Sequence, residues 1–299
     1  MKMLNKIRHL SKQLTRLHCH RQAASLATLS YTEYGKPSKN PPIFIFHGLF
    51  GSKRNWTSIS KKLIENNDRH VFAVDLRNHG NSEHTFKMSY DLMAEDCIAL
   101  IESFKLSKPP VLIGHSMGGK VAMTIALKYS IPLSSLIIAD VSPLKNETRG
   151  SVELRRLIEI MKGIDLSKSN AVNVSEFRTK VMDYIKPRIS DEMLRAFILS
   201  NLREKSDKSS YEFSFNLNAI DNNLDALYSS QDFDAKYEGS TLFIAGSNSD
   251  YVTEKHVPTI NKLFPANEIY HIKDAGHWLH YDKPKEFLLK ITEFLSRSN

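Results

Sequence analysis

Five short stretches of this chain are apolar at nearly every position instead of every second one: 41–48, 70–75, 110–116, 133–140 and 241–246. A strand with one face in water alternates, whereas a strand covered on both faces need not. Between these runs the spacing turns helical, over 56–66, 89–106 with Ser89 as its cap, 120–129, 253–264 and 285–297. Residues 26–34 read as a first strand and 267–272 as a last one. Buried strands separated by helices predict an α/β fold, a mostly parallel sheet with helices on both faces.

One stretch breaks the rhythm. Residues 144–232 carry helical patterns and no convincing buried strand. They read as a helical cap inserted into a core made of 26–143 and 233–299, over the carboxyl ends of the strands, where such sheets bind ligands. The apolar runs are only a few residues long, far short of the ~18 that a spanning helix needs, so no integral membrane segment is expected. Two cysteines are too few for a disulfide scaffold.

The formal charge of +8 would fit a nucleic-acid partner if it were spread over the body. It is not. Lys2, Lys6, Arg8, Lys12, Arg16 and Arg21 all precede the first acid, Glu33, and leave the body close to neutral. No nucleic-acid partner is expected. Residues 1–25 combine these cations with Leu4, Ile7, Leu10, Leu14 and Leu17 at helical spacing, the pattern of a mitochondrial transit peptide, with cleavage between Arg21 and Thr28. The expected location is the mitochondrial matrix. His18-Cys19-His20 falls inside this leader and lacks the second ligand pair of a zinc site.

Chemistry concentrates in Gly114-His115-Ser116-Met117-Gly118, a G-x-S-x-G between a strand and a helix. A turn this tight strains the backbone at Ser116 and lifts its hydroxyl above the sheet, at a helix N-terminus. Serine needs a base, and histidine suits the task because it both takes and returns a proton near neutrality. In this chain order the base lies late, after the last strand, which selects His277 in Asp274-Ala275-Gly276-His277-Trp278 over His271 and His280. The acid that orients the imidazole has two candidates at strand ends, Asp140 and Asp250, and position alone favours Asp250. Two N–H groups are needed for the oxyanion. Met117 supplies one. The other comes from His47-Gly48-Leu49-Phe50-Gly51-Ser52, with Leu49 preferred and Phe50 in reserve. The second glycine turn, Asp75–Ser82, reads as a support for that loop, with Arg77 and His79 structural. Nothing in this set calls for a metal or a cofactor.

Taken together, HGLFGS, DLRNHGNS, GHSMGG, DVSP and AGHW resemble the α/β-hydrolase superfamily, and within it the mitochondrial abhydrolase-domain-containing protein 11 family. That group is similar to the yeast ethanol acetyltransferases and to small bacterial esterases. The resemblance covers residues 26–297 and is weakest over 144–232. It implies a mostly parallel eight-stranded sheet with a helical cap and a Ser-His-Asp triad. In the acetyltransferase branch the acid stands 24 residues after the serine, which is Asp140 here, so the resemblance selects Asp140 over Asp250. Some members are credited with an acid inside the cap, where this chain has Asn218. The implied activity is a serine-dependent acyl hydrolase, an esterase or thioesterase acting on short-chain esters or acyl-CoA. The alternatives are an alcohol acyltransferase making ethyl acetate from acetyl-CoA and ethanol, and a hydrolase fold that binds without turnover.

Overall fold

Strands β1 (Tyr31–Tyr34) and β2 (Ile43–Phe46) open the chain. A 3-10 turn at Lys53–Trp56 then runs into α1 (Thr57–Asn67), which leads to β3 (Val71–Val74) and α2 (Tyr90–Ser103). The region around Ser116 follows with β4 (Val111–His115), α3 (Met117–Thr124), a π turn at Ile125–Tyr129 and β5 (Ser135–Ala139). Between β5 and the next sheet strand lie α4 (Thr148–Lys162), α5 (Val174–Ile185), α6 (Glu192–Ser200), the ribbon β6 (Leu202–Glu204) and β7 (Tyr211–Phe213), α7 (Leu217–Asn222) and α8 (Leu224–Tyr228). The chain closes with β8 (Thr241–Gly246), α9 (Val257–Leu263), β9 (Asn267–Ile272), α10 (Leu279–Asp282) and α11 (Pro284–Arg297). This computed structural model describes residues 26–297 except 130, 145–147, 168–170, 172 and 229–232. The transit-peptide reading of residues 1–25 and its His18-Cys19-His20 fall outside the described residues.

The main sheet has the order β1-β3-β2-β4-β5-β8-β9, parallel throughout except for β1, which runs antiparallel to β3. Every residue of β2, β3, β4, β5 and β8 is buried, as their unbroken apolar runs require. Alternate side chains serve opposite faces. Ile43, Ile45, Val71, Ala73, Ile113 and Ile137 meet the 3-10 turn, α1 and α11 through Trp56, Leu63, Phe287 and Ile291. Phe44, Phe46, Phe72, Leu112 and Phe243 meet α2 and α3 through Met93, Cys97, Val121 and Met123. From β2 the chain moves to β3 on one side and then returns to β4 on the other, so the loops leaving β2 and β4 diverge and open a crevice at their carboxyl ends.

The sheet has seven strands among the described residues, one fewer than the eight that the resemblance implies. The chain before β1 does not pair as a strand because side chains take its N–H groups. Ala27 donates to Asp96 Oδ1 at 2.8 Å, Thr28 to Glu83 Oε2 at 2.9 Å and Ser30 to Ser82 Oγ at 2.8 Å. The first strand is therefore shorter than the expected 26–34.

The segment between β5 and β8 is mainly helical, with one feature its sequence hides: β6 and β7 pair antiparallel and bury Leu202, Tyr211 and Phe213. Three residues each are too few to show a period. The segment rests on loops at the carboxyl ends of the strands. Asn216 N–H donates to Asn78 O at 2.8 Å, Arg203 reaches Asn81 Oδ1 at 2.9 Å, and the Phe197 ring stands 6.0 Å from Trp278. Among the described residues no helix is long and apolar enough to cross a membrane.

Candidate active site

Ser116 occupies the sharp turn between β4 and α3 with φ 51 and ψ −116. Only a few per cent of non-glycine residues take positive φ, and each such strained site costs roughly 1–3 kcal/mol. Its surroundings impose the angle. The Ser116 N–H donates to Ala139 O of β5 at 3.0 Å, while its carbonyl accepts from Lys120 N–H at 3.0 Å. The flanking glycines are set by close approach: a Cβ on Gly114 would meet the Gly118 carbonyl, and one on Gly118 would meet Phe46 O of β2.

His277, in the loop after β9, brings Nε2 to 3.0 Å from Ser116 Oγ and Nδ1 to 2.7 Å from Asp140 Oδ2. Asp140 closes β5 and is fully buried at φ 50. Its Oδ1 accepts from Gly246 N–H at 3.0 Å and its Oδ2 from Ser249 Oγ at 2.5 Å. A buried carboxylate survives only when hydrogen-bonded in this way. The structure thus brings Ser116, His277 and Asp140 together and leaves Asp250 exposed to solvent. His271 is an exposed member of β9. His280 is buried and stacked on Trp56 at 4.5 Å with an interplanar angle of 4°, and burial pushes its imidazole down to about 3.

The loop after β2 is folded by its own histidine. His47 Nε2 accepts from Leu76 N–H at 3.0 Å, so its proton lies on Nδ1, which donates to Gly48 O at 2.8 Å. Gly51 N–H donates to the same carbonyl at 3.0 Å. In a trans peptide the N–H opposes the carbonyl, so fixing Gly48 O turns the Leu49 N–H the other way. Gly48 itself faces the nucleophile: a Cβ there would stand 2.8 Å from His115 Nδ1 and 3.4 Å from Ser116 Cβ. Among the described residues the N–H groups of Leu49 and Met117 have no hydrogen-bond partner. Phe50 N–H is taken by His79 Nε2 at 3.1 Å, which removes the reserve candidate.

The second glycine turn holds this loop in place. Asp75 accepts from Lys53 N–H at 2.7 Å and from Asn81 N–H at 3.0 Å, and also pairs with the Lys53 ammonium. Arg77 makes two bonds to the buried Asp96, at 2.5 and 2.6 Å. Burial lowers the imidazole pKa of His47 and, more strongly, that of His79, which keeps both rings neutral and able to accept from a backbone N–H.

A nucleophile turn, a late histidine and an acid on successive strand ends suit acyl transfer, and comparison with known proteins agrees. The model of the alpha/beta hydrolase family matches residues 43–290. The chain belongs to that family. This hydrolase is 37% identical over 278 residues to the sn-1-specific diacylglycerol lipase ABHD11 of Danio rerio, covering 92% of this chain and 84% of that protein. It is 34% identical over 277 residues to the "Probable alcohol acetyltransferase" of Saccharomyces cerevisiae, covering 88% and 79%. Among solved structures a marine microorganism esterase superposes with a TM-score of 0.82 at 35% identity, covering 90% of this chain and 99% of that one.

Three residues of the hydrolase that touch this constellation escape a reading of the sequence. His115 donates its Nε2–H to the His277 carbonyl at 2.9 Å, Ser249 bonds Asp140, and the Tyr251 ring lies 4.1 Å from that of His277. The G-x-S-x-G pattern leaves the residue before the serine unspecified, nothing marks a serine in a loop as the partner of an acid 109 residues away, and nothing marks the tyrosine beside it as the partner of a histidine beyond the next strand.

Proposed function

We propose that the protein is a serine ester hydrolase working through an acyl-enzyme on Ser116. The observation that carries this reading is the continuous chain from Ser116 Oγ to His277 at 3.0 Å and from His277 to Asp140 at 2.7 Å, accompanied by unengaged N–H groups on Leu49 and Met117. Ser116 Oγ attacks the ester carbonyl carbon while His277 Nε2 takes its proton. The oxyanion forms toward the N–H groups of Leu49 and Met117. Collapse breaks the bond to the leaving alcohol or thiol, which receives the proton from His277. Water then attacks the acyl-enzyme by the same steps in reverse, releasing the acid. Asp140 fixes the imidazole tautomer and stabilises the imidazolium.

The substrate class is a carboxylic ester or an acyl-CoA thioester. The named activity of the zebrafish relative, a lipase, supports the ester. The acetyltransferase name of the yeast relative supports a second reading, in which an alcohol in place of water resolves the same intermediate. A fold that binds without turnover is disfavoured, because it has no need of an aligned nucleophile, base and acid. Residues 144–232 act as a cap over the site, supported by their contacts with Asn78, Asn81 and Trp278. The acid-free, amphipathic stretch 1–25 directs the protein to the mitochondrial matrix.

The test incubates purified protein with p-nitrophenyl esters, acetyl-CoA and ethanol and measures free acid against ethyl ester. Free acid in excess, absent in Ser116→Ala, is expected. Ethyl ester in excess selects the second reading, and no turnover of any ester or thioester overturns both. Import into isolated mitochondria is expected to shorten the chain by ~20–28 residues. An uncut product left outside rejects the address.

A further inference from the structure

The loop leaving β8 is where strand position alone would put the acid, and its one carboxylate, Asp250, is exposed. Residues around it turn inward instead and reach both partners of the nucleophile. Gly246 N–H donates to Asp140 Oδ1 at 3.0 Å, and Ser249 Oγ donates to Oδ2 at 2.5 Å. That same Oδ2 accepts from His277 Nδ1 at 2.7 Å. The Tyr251 ring lies nearly parallel to the His277 imidazole, with 4.1 Å between centroids and 19° between planes. Tyr251 N–H leans on Ser249 Oγ at 3.4 Å, so the two side chains are set by one stretch of backbone.

Each contact has a physical task. A carboxylate with no exposure is free to rotate about its last bond unless its oxygens are separately bonded. Ser249 and Gly246 hold one oxygen each, and Oδ2 is thereby aimed at the imidazole. A ring stacked on an imidazole fixes its plane, so that Nε2 stays on Ser116 Oγ. Its π face also favours the imidazolium that forms as the serine proton arrives. The β8 loop does not bring an acid; it holds the one that β5 brings.

We propose that Ser249 and Tyr251 are positioning residues of the acyl-transfer reaction, Ser249 acting through Asp140 and Tyr251 acting through His277. This inference rests on the acyl-enzyme reading of Ser116.

The test compares Ser249→Ala, Ser249→Thr, Tyr251→Leu, Tyr251→Phe and Asp250→Asn with the wild-type protein. The readouts are kcat and KM on a p-nitrophenyl ester and the rate at which a fluorophosphonate labels Ser116. Ser249→Ala and Tyr251→Leu are each expected to lose about tenfold in kcat and in labelling rate, with KM within about twofold, as fits loss of a hydrogen bond to a charged group or of a cation–π face. Ser249→Thr keeps the hydroxyl and Tyr251→Phe keeps the ring, so both recover most of the loss. Asp250→Asn stays at the wild-type rate. Tyr251→Met, which fills the space without an aromatic face, carries the test if the leucine variant does not fold. Wild-type labelling rates in both Ser249→Ala and Tyr251→Leu overturn the proposal. So does a loss that Ser249→Thr and Tyr251→Phe fail to recover, which marks a structural role only. A wild-type protein that takes no label at Ser116 overturns the acyl-enzyme reading instead, so the two failures are distinct.

Discussion

His115 donates its Nε2–H to the backbone carbonyl of His277 across 2.9 Å, joining the residue before the proposed nucleophile to the residue proposed as its base. The two rings stand 4.8 Å apart, and the His115 ring also meets His280 edge-on at 4.7 Å. His115→Phe keeps an aromatic ring in this packing and removes the donor. Leaving the carbonyl unpaired costs about 1–3 kcal/mol, and with it the alignment of the imidazole. Steady-state kinetics are expected to show kcat lowered about tenfold or more with KM little changed. An unaltered kcat refutes the coupling.

Ser116 combines function with strain. Ser116→Ala and Ser116→Gly are both expected to end turnover and fluorophosphonate labelling. Only glycine relieves the positive φ, so Ser116→Gly is expected to be the more heat-stable of the two by about 1 kcal/mol or more. Equal melting temperatures for the two variants contradict the strain, and labelling retained by either removes the nucleophile.

Asp140 and Asp250 offer opposite outcomes to one substitution. Asp140→Asn leaves the buried shape intact and takes away the charge that holds the tautomer, so kcat is expected to fall by about 10⁴. Asp250→Asn, at an exposed position, changes kcat less than about twofold. The reverse ranking in a kcat comparison moves the acid.

His280 makes the fold acid-sensitive. Its buried ring has an Nδ1 with no partner among the described residues, and its pKa lies near 3 against an ordinary 6.5. Below 6.5 the unfolded chain takes up this proton and the folded chain does not. The contribution of this group to stability is therefore expected to be complete above 6.5 and lost as pH falls toward about 3. His280→Phe retains the stack on Trp56 and removes the titration. Chemical denaturation from pH 7 to pH 5 is expected to show a shallower loss in the variant. Parallel curves reject the assignment.

Lys120, one turn past the nucleophile, is buried with its amine on Leu144 O, and burial alone pushes its pKa down to about 7. Between about 7 and 10.5 the unfolded chain holds a proton that the folded chain lacks, so this group makes stability rise with pH across that window. Lys120→Met is expected to flatten that rise in denaturation midpoints at pH 7 and pH 9. A slope unchanged by the substitution contradicts it.

Family, fold and strand runs were legible because a buried parallel strand has few alternatives to an unbroken apolar run, as at Ile43–Phe46 and Thr241–Gly246. Ser116 could be read from its glycines, which the close approach to Gly118 and Phe46 demands. The lack of pairing over 26–30, which shortens the first strand, was not legible. Whether 26–30 pairs as a strand is decided by Asp96, Glu83 and Ser82, residues 52 to 69 positions away. The ribbon at 202–213 is too short to announce itself, and Ser249 and Tyr251 gain their meaning only when two loops distant in sequence meet. Position alone pointed to Asp250, and resemblance pointed to Asp140. The difference between them is that the β5 end lies within reach of His277 while Asp250 faces solvent.

Ile158, Met161, Phe177, Val181 and Ile198 of the segment between β5 and β8 belong to one packed cluster with Phe44, Met93 and Val121 of the sheet and its helices. A graft of that segment onto a relative therefore carries part of this interior with it, and exchanging the segment alone is expected to leave mismatched packing. Because the two sides share one cluster, they are expected to lose their packing together on heating, and substitutions on one side of the seam call for repacking on the other.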